Sequence, residues 1–308
     1  MRKDLPPRYY LAHFFEFLAF FKGANAALLS DDAHGFIESF NQLDADKQCI
    51  IVRAANRKYA VIDRSQFSYA EIGNPQQHID ELIEAKWFGD LHHASLQDIA
   101  GVLTKDAILR LLSEYGATQG LASLTKPVLV SRLEACINQH GWPEGLNEHT
   151  YLVCLFDAPL KFLLFLYFGN TKGRLNQFSM RDLGVMRTRG DSVSDITRFD
   201  SKADAEAAWF YASQLEKLPF LSSAQANTLA KETFPNSDGV SAMFYRDQFL
   251  YALALKLLDE HREQALLLLY QAQSDKAKEK WIRESYKDGN IDSVKEVLEH
   301  IIDSPPSD

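Results

Sequence analysis

Few residues in this chain have the type and spacing to do chemistry, and the chemistry they suggest is metal-dependent hydrolysis or phosphate binding. Glu84-Ala85-Lys86 has the Glu-x-Lys spacing with which restriction-type nucleases hold Mg²⁺ and polarise the attacking water. Here the triplet closes an expected helix and no Pro-Asp precedes it at a suitable spacing, so it is taken as a solvated helix end. Cys136 and His140 stand about one helical turn apart, with His149 and Cys154 downstream, but zinc needs four ligands in a rigid set. Cys136 falls on the apolar face of its helix, which makes it a core thiol, and His92-His93 is a surface loop pair. The sequence has no glycine-rich phosphate loop, no His-Glu-x-x-His and no Cys-x-x-Cys. We therefore expect no catalytic, metal or cofactor site of the chain's own.

Phosphate binding has better credentials. In the stretch Leu121 to Leu133, a turn delivers the open N–H groups of a helix start beside Lys126, with Thr125 as the cap and Arg132 further along the same helix. Lys105 and Arg110 belong to the preceding helix of the same unit and join the candidate set. Net charge is −9, which disfavours a nucleic-acid partner if spread evenly, but it is not. Lys161, Lys172, Arg174, Arg181, Arg187 and Arg189 face Asp182 alone in their stretch, and Arg53, Arg57, Lys58 and Arg64 face Asp63 in theirs. Such stripes can hold a phosphate backbone on an acidic protein. Base readout is not expected, because no helix offers the Arg and Asn set it requires.

These residues need elements to position them. At 308 residues, 46% hydrophobic and 24% charged, the chain can build two or three small cores. Cys49, Cys136 and Cys154 are few and lie in apolar contexts, which suits a reducing cytosol. The start Met1-Arg2-Lys3-Asp4 before Leu5-Pro6-Pro7 is unlike a signal peptide, and the apolar run Ala158–Gly169 is interrupted by Lys161 and too short to span a bilayer. A cytoplasmic protein without a membrane partner is expected, with a solvated tail at 303–308.

Apolar spacing predicts helices over Arg8–Phe21, Ala33–Phe40 and Asp46–Lys58, then a strand at Tyr59–Asp63. Asn74-Pro75 starts a helix to about Lys86, and Trp87-Phe88 follows as an extended piece. That order suggests a winged-helix module over 1–98, with a small sheet. Its expected recognition helix, the one from Pro75, exposes Gln76, Gln77, Asp80, Glu81 and Glu84, whose acids repel phosphate, so Arg53 and Arg57 are the module's expected contacts. Residues 99–142 form a two-helix unit, capped by Thr104 and Thr125 and interrupted by Gly116 and Gly120. Residues 143–200 are expected as a helical linker with the basic stretch. Residues 201–308 carry helix after helix, with Asp259-Glu260-His261 and Asp288-Gly289-Asn290 about one repeat apart, a period suggesting incomplete tetratricopeptide-like repeats. The fold class is mainly α.

The Leu121–Leu133 unit resembles the SAP motif, a two-helix DNA-binding module, with Leu124 where that motif has glycine. The segments "LPPRYYLAHFFEFL", "IIVRAANRKYAVIDRSQFSYAEIG", the SAP-like unit and "LYFGNTKGRLNQFSMRDLGVMR" occur in one order along the chain. With the later helical repeats, that order is similar to bacterial members of the Fanconi-associated nuclease family of VRR-NUC proteins. The resemblance implies the DNA-holding part of a structure-specific repair nuclease of 5′-flap endonuclease and phosphodiesterase type, acting in interstrand-crosslink repair. Branched or flapped duplex DNA is then the partner, together with a C-terminal nuclease domain that uses Mg or Mn. That domain's Pro-Asp and Glu-x-Lys residues have no counterpart in these 308 residues, so no catalytic residue carries over. The alternative is a helical protein-interaction scaffold that does not touch DNA.

Overall fold

The computed structural model describes residues 5–94, 96–116, 119–146, 150–182 and 197–303. His149, Arg187, Arg189, Leu183-Gly184 and the tail at 304–308 lie outside the described residues. The chain is mainly α and divides into two units.

The first unit takes the described residues within 1–22, 31–167 and 172–194. It begins with helices α1 (Tyr9–Ala19), α2 (Asp31–Gln42) and α3 (Ala45–Ala55). Phe14 and Phe17 of α1 are fully buried, and Phe14 meets Phe40 of α2 with ring centroids 4.8 Å apart. Asp44 caps α3 by accepting from the N–H groups of Asp46 and Lys47. Arg8, just before α1, reaches Asp46 at 2.5 Å and the Glu71 carbonyl at 2.6 Å.

Strand β1 (Val61–Asp63), helix α4 (Pro75–Glu84) and strand β2 (Phe88–Gly89) follow. Two expectations need correction here. Asn74 precedes α4 as expected, but it takes a left-handed φ of 45° and its side chain caps nothing, leaving Pro75 to set the first turn. Helix α3 stops three residues before Lys58, because Asn56 folds its side-chain amide back onto the Val52 carbonyl at 2.8 Å. Arg57 therefore lies past the helix end rather than one turn along from Arg53.

Helices α5 (Leu96–Val102), α6 (Lys105–Glu114) and α7 (Lys126–His140) come next, then strand β3 (Tyr151–Cys154) and helices α8 (Asp157–Phe168) and α9 (Asn176–Asp182). The sheet has the order β1-β3-β2, antiparallel throughout, with Val61 opposite Val153 and Phe88 opposite Cys154. Its middle strand thus comes from residues expected as a helical linker. Tyr-Leu-Val-Cys is too short an apolar run for periodicity to separate strand from helix. The two-helix unit is inserted between β2 and β3 and has no core of its own. Leu103, Ile108, Leu112, Leu129 and Leu133 form one cluster with Val61 and Val153 of the sheet.

The second unit takes the described residues within 23–30, 168–171 and 195–308. Helices α10 (Lys202–Lys217), α11 (Ser223–Leu229), α12 (Val240–Leu257), α13 (Arg262–Gln271), α14 (Asp275–Lys287) and α15 (Ile291–Asp303) include a run from α12 to α15 in which each packs on the next. Buried Asp204 joins α10 to α12 by accepting from the N–H groups of Asp200 at 3.0 Å and Ala242 at 2.7 Å. Gly239 is required at that junction, since a Cβ would fall 2.2 Å from the Asp204 carboxyl carbon. Among the described residues, no helix is long and apolar enough to cross a membrane.

Candidate nucleic-acid interface

Whether a cation can hold phosphate depends first on what already holds the cation. Arg53 is engaged inside the first unit. Its guanidinium lies 4.0 Å from the Tyr10 ring centroid and 4.2 Å from that of Tyr69, and it pairs with Glu71 at 2.5 Å. Glu71 also accepts from the Tyr10 hydroxyl at 2.8 Å. Burial opposes the Glu71 charge, but the hydrogen bonds from Arg53 and Tyr10 hold its carboxyl below the usual range. Arg57 differs. It is exposed, and it donates to a neutral acceptor, the Tyr69 hydroxyl, at 2.9 Å.

The acidic helix α4 is partly neutralised from within. Arg64 pairs with Asp80 at 2.8 Å, and Lys47 with Glu81 at 2.7 Å. Hydrogen bonds to Glu81 and Asp44 push the Lys47 ammonium up to about 12. Glu84 and Lys86 are exposed at the end of the same helix, with Lys86 at a φ of 61°. No group of three His, Cys, Asp or Glu side chains able to hold a metal occurs among the described residues. Cys154 is buried in β3, and Cys136 is partly buried against the core.

The two-helix unit presents its cations differently. Thr104 caps α6 through the Ala107 N–H, and Lys105 in the first turn donates to the Ala122 carbonyl at 2.7 Å. Lys105 is therefore a strut across the loop that leads into α7. Gly120 supplies a φ of 71° there, Ser123 returns its hydroxyl to the Gly120 carbonyl, and the Leu124 N–H closes on the Leu121 carbonyl. Thr125 occupies the cap position of α7 with extended backbone, but its side chain takes none of the helix's N–H groups. In that first turn Lys126 and Val128 carry the uncapped N–H groups, and Pro127 between them has none. Lys126 is half-buried, whereas Arg132 and Arg110 are exposed, and none of the three has an ion-pair partner among the described residues.

In the later basic stretch the geometry is mixed. Lys161 pairs with Asp157 at 2.7 Å. Arg181 grips both carboxylate oxygens of Glu16, at 2.5 and 2.8 Å, and also reaches Asp182 at 2.9 Å. Its guanidinium is held charged by Glu16 first and Asp182 second, as an internal clamp between α9 and α1. Lys172 and Arg174 are exposed. Beside that clamp, His13 bonds Asp182 at 2.7 Å and Ser179 at 3.4 Å. The Ser-His-Asp order is suggestive of hydrolysis, but the adjoining cavity, of about 10 Å³, admits no substrate.

Geometry thus separates the sequence candidates. Lys126, Arg132, Arg110 and Arg57 have no carboxylate partner among the described residues, while Arg53 and Arg181 are each paired with a carboxylate and Lys105 donates to a loop carbonyl. Tyr69 was not anticipated. The signal available for it was the interleaving of aromatics and cations in "RKYAVIDRSQFSY".

Residues 8–89 match the family model described as "FAN1, HTH domain". A curated protein, the Fanconi-associated nuclease 1 homolog of Pseudomonas aeruginosa, is 30% identical over 207 residues, which is 65% of this chain and 36% of that protein. A crystal structure of paFAN1 bound to 2nt 5′-flap DNA with gap superposes with a TM-score of 0.73 at 24% identity, over 99% of this chain and 56% of that one. Another, bound to 1nt 5′-flap DNA with gap, gives 0.76 at 22% identity, over 98% and 56%. The chain therefore spans about a third of the curated relative and about half of the solved chains. It is a FAN1 homologue, with the family's helix–turn–helix domain at residues 8–89.

Proposed function

We propose that this chain holds branched or flapped duplex DNA by its phosphates and positions it for a metal-dependent nuclease domain. The observation that carries the reading is the start of α7. The uncapped N–H groups of Lys126 and Val128 mark that end, Arg132 follows on the same helix, and neither cation has an ion-pair partner among the described residues. Arg110, Lys172, Arg174 and Arg57 extend the surface. In this reading α6 and α7 are a SAP-like module, the N-terminal helices and sheet a winged helix, and α10–α15 tetratricopeptide-like repeats. The relatives support it, since the paFAN1 structures contain 5′-flap DNA. Cleavage would belong to a further domain using Mg or Mn.

Salt titration tests the reading. Fluorescence anisotropy with a labelled 5′-flap duplex should give an affinity that falls steeply as salt rises, because phosphate contacts release counterions. No binding at low salt would favour the protein-interaction scaffold instead.

A further inference from the structure

The chain leaving α3 packs against β1 and α5 and leaves a cleft of about 230 Å³. Arg57 and Lys58 are exposed at its rim, and Val61, Ile62 and Phe67 are buried beneath it. Arg57 is held by the Tyr69 hydroxyl at 2.9 Å and passes 5.8 Å from the Phe67 ring centroid, partners that fix the guanidinium without cancelling its charge. The Lys58 ammonium stands 5.0 Å from the centroid of Tyr59, whose ring forms another wall. Gly101 lets that ring lie against α5, since any Cβ there would come within 2.6 Å of three ring atoms. Asp63 also lines the cleft, but its carboxylate accepts from Ser65 N–H, the Ser65 hydroxyl and the Gln66 amide, and so is engaged in the 64–66 turn.

Two cations at the rim, an aromatic wall and an apolar floor match the two halves of a nucleotide. We infer that this cleft binds one unpaired nucleotide, with its phosphate on Arg57 and Lys58 and its base against Tyr59. The cleft is smaller than the roughly 300 Å³ of a drug-sized pocket, and it suits one nucleotide rather than a length of strand. A double helix does not enter it. The inference rests on the DNA-holding reading and adds a seat in the first unit for an unpaired nucleotide of such a substrate.

The test compares a blunt duplex with duplexes carrying one unpaired thymidine nucleotide at a 5′ or 3′ end, using the whole chain. Wild type should bind one unpaired form at least about fivefold tighter than the blunt form, the lower end of what one stacked base contributes. Val102→Trp fills the cleft from α5 and leaves both cations in place, so it should abolish that preference while blunt-duplex affinity is unchanged. As a second readout on wild type, an unpaired 5-bromodeoxyuridine should photocrosslink to Tyr59 or Phe67. Equal affinity for all three duplexes, a preference retained in Val102→Trp, or a crosslink mapping elsewhere would each overturn the cleft assignment. Failure to bind any of the duplexes at low salt would overturn the DNA-holding reading itself.

Discussion

Arg53 donates to Glu71 at 2.5 Å from a position between the rings of Tyr10 and Tyr69. Both partners are largely shielded, and the pair joins the end of α3 to the loop before α4. Arg53→Ala leaves the Glu71 carboxylate without its counter-charge, and should lower stability by about 3 kcal/mol. Chemical denaturation measures this. A variant of wild-type stability with weakened DNA binding would return Arg53 to the interface.

A second charged cluster links α13 and α14. The buried Glu284 carboxylate accepts from Lys287 at 2.9 Å and Lys280 at 3.0 Å, and pairs with Arg262 at 3.0 Å. Lys287, then Lys280 and Arg262, hold its carboxyl at about 2 against an ordinary 4.5, despite burial. A depressed folded-state pKa stabilises the fold above pH 4.5, and the contribution is lost as pH falls from there toward 2. Glu284→Gln should cost about 2 kcal/mol at neutral pH. The gap between variant and wild type should narrow as pH falls through that window. A gap independent of pH would mean the carboxylate's charge contributes nothing.

With Mg²⁺ or Mn²⁺ and a labelled 5′-flap substrate, this chain should release no product. No carboxylate cluster able to hold a metal occurs among the described residues. Metal-dependent turnover abolished by Glu84→Ala would show that the Glu84-Ala85-Lys86 triplet is catalytic after all.

How far the sequence could be read depends on the range of each interaction. The α6–α7 unit was legible because its signals are local, with Thr104 and Thr125 in cap positions, Gly116 and Gly120 at left-handed turns, and Leu129, Leu133 and Ile137 at helical spacing. Strand β3 was not, because its four residues pair with strands some 65 to 90 positions earlier in the chain. The sorting of cations was also out of reach. Glu71 lies 18 residues from Arg53, Glu16 lies 165 from Arg181, and nothing local distinguishes those arginines from Arg132. The internal acceptor of Lys105 was equally hidden, because it is a backbone carbonyl and every residue in the following loop carries one.

The central claim is that DNA is gripped at the start of α7, and a charge-matched comparison tests it most directly. Lys126→Glu with Arg132→Glu should weaken flap-duplex binding at least about tenfold and make the salt dependence shallower by about 2, the slope of two lost phosphate contacts. Lys231→Glu with Lys295→Glu, exposed cations of the helical array, changes net charge equally and should leave both quantities close to wild type. Equal losses from the two pairs would reduce the attraction to diffuse charge, and a larger loss from the second pair would contradict the account by moving the DNA onto the helical array.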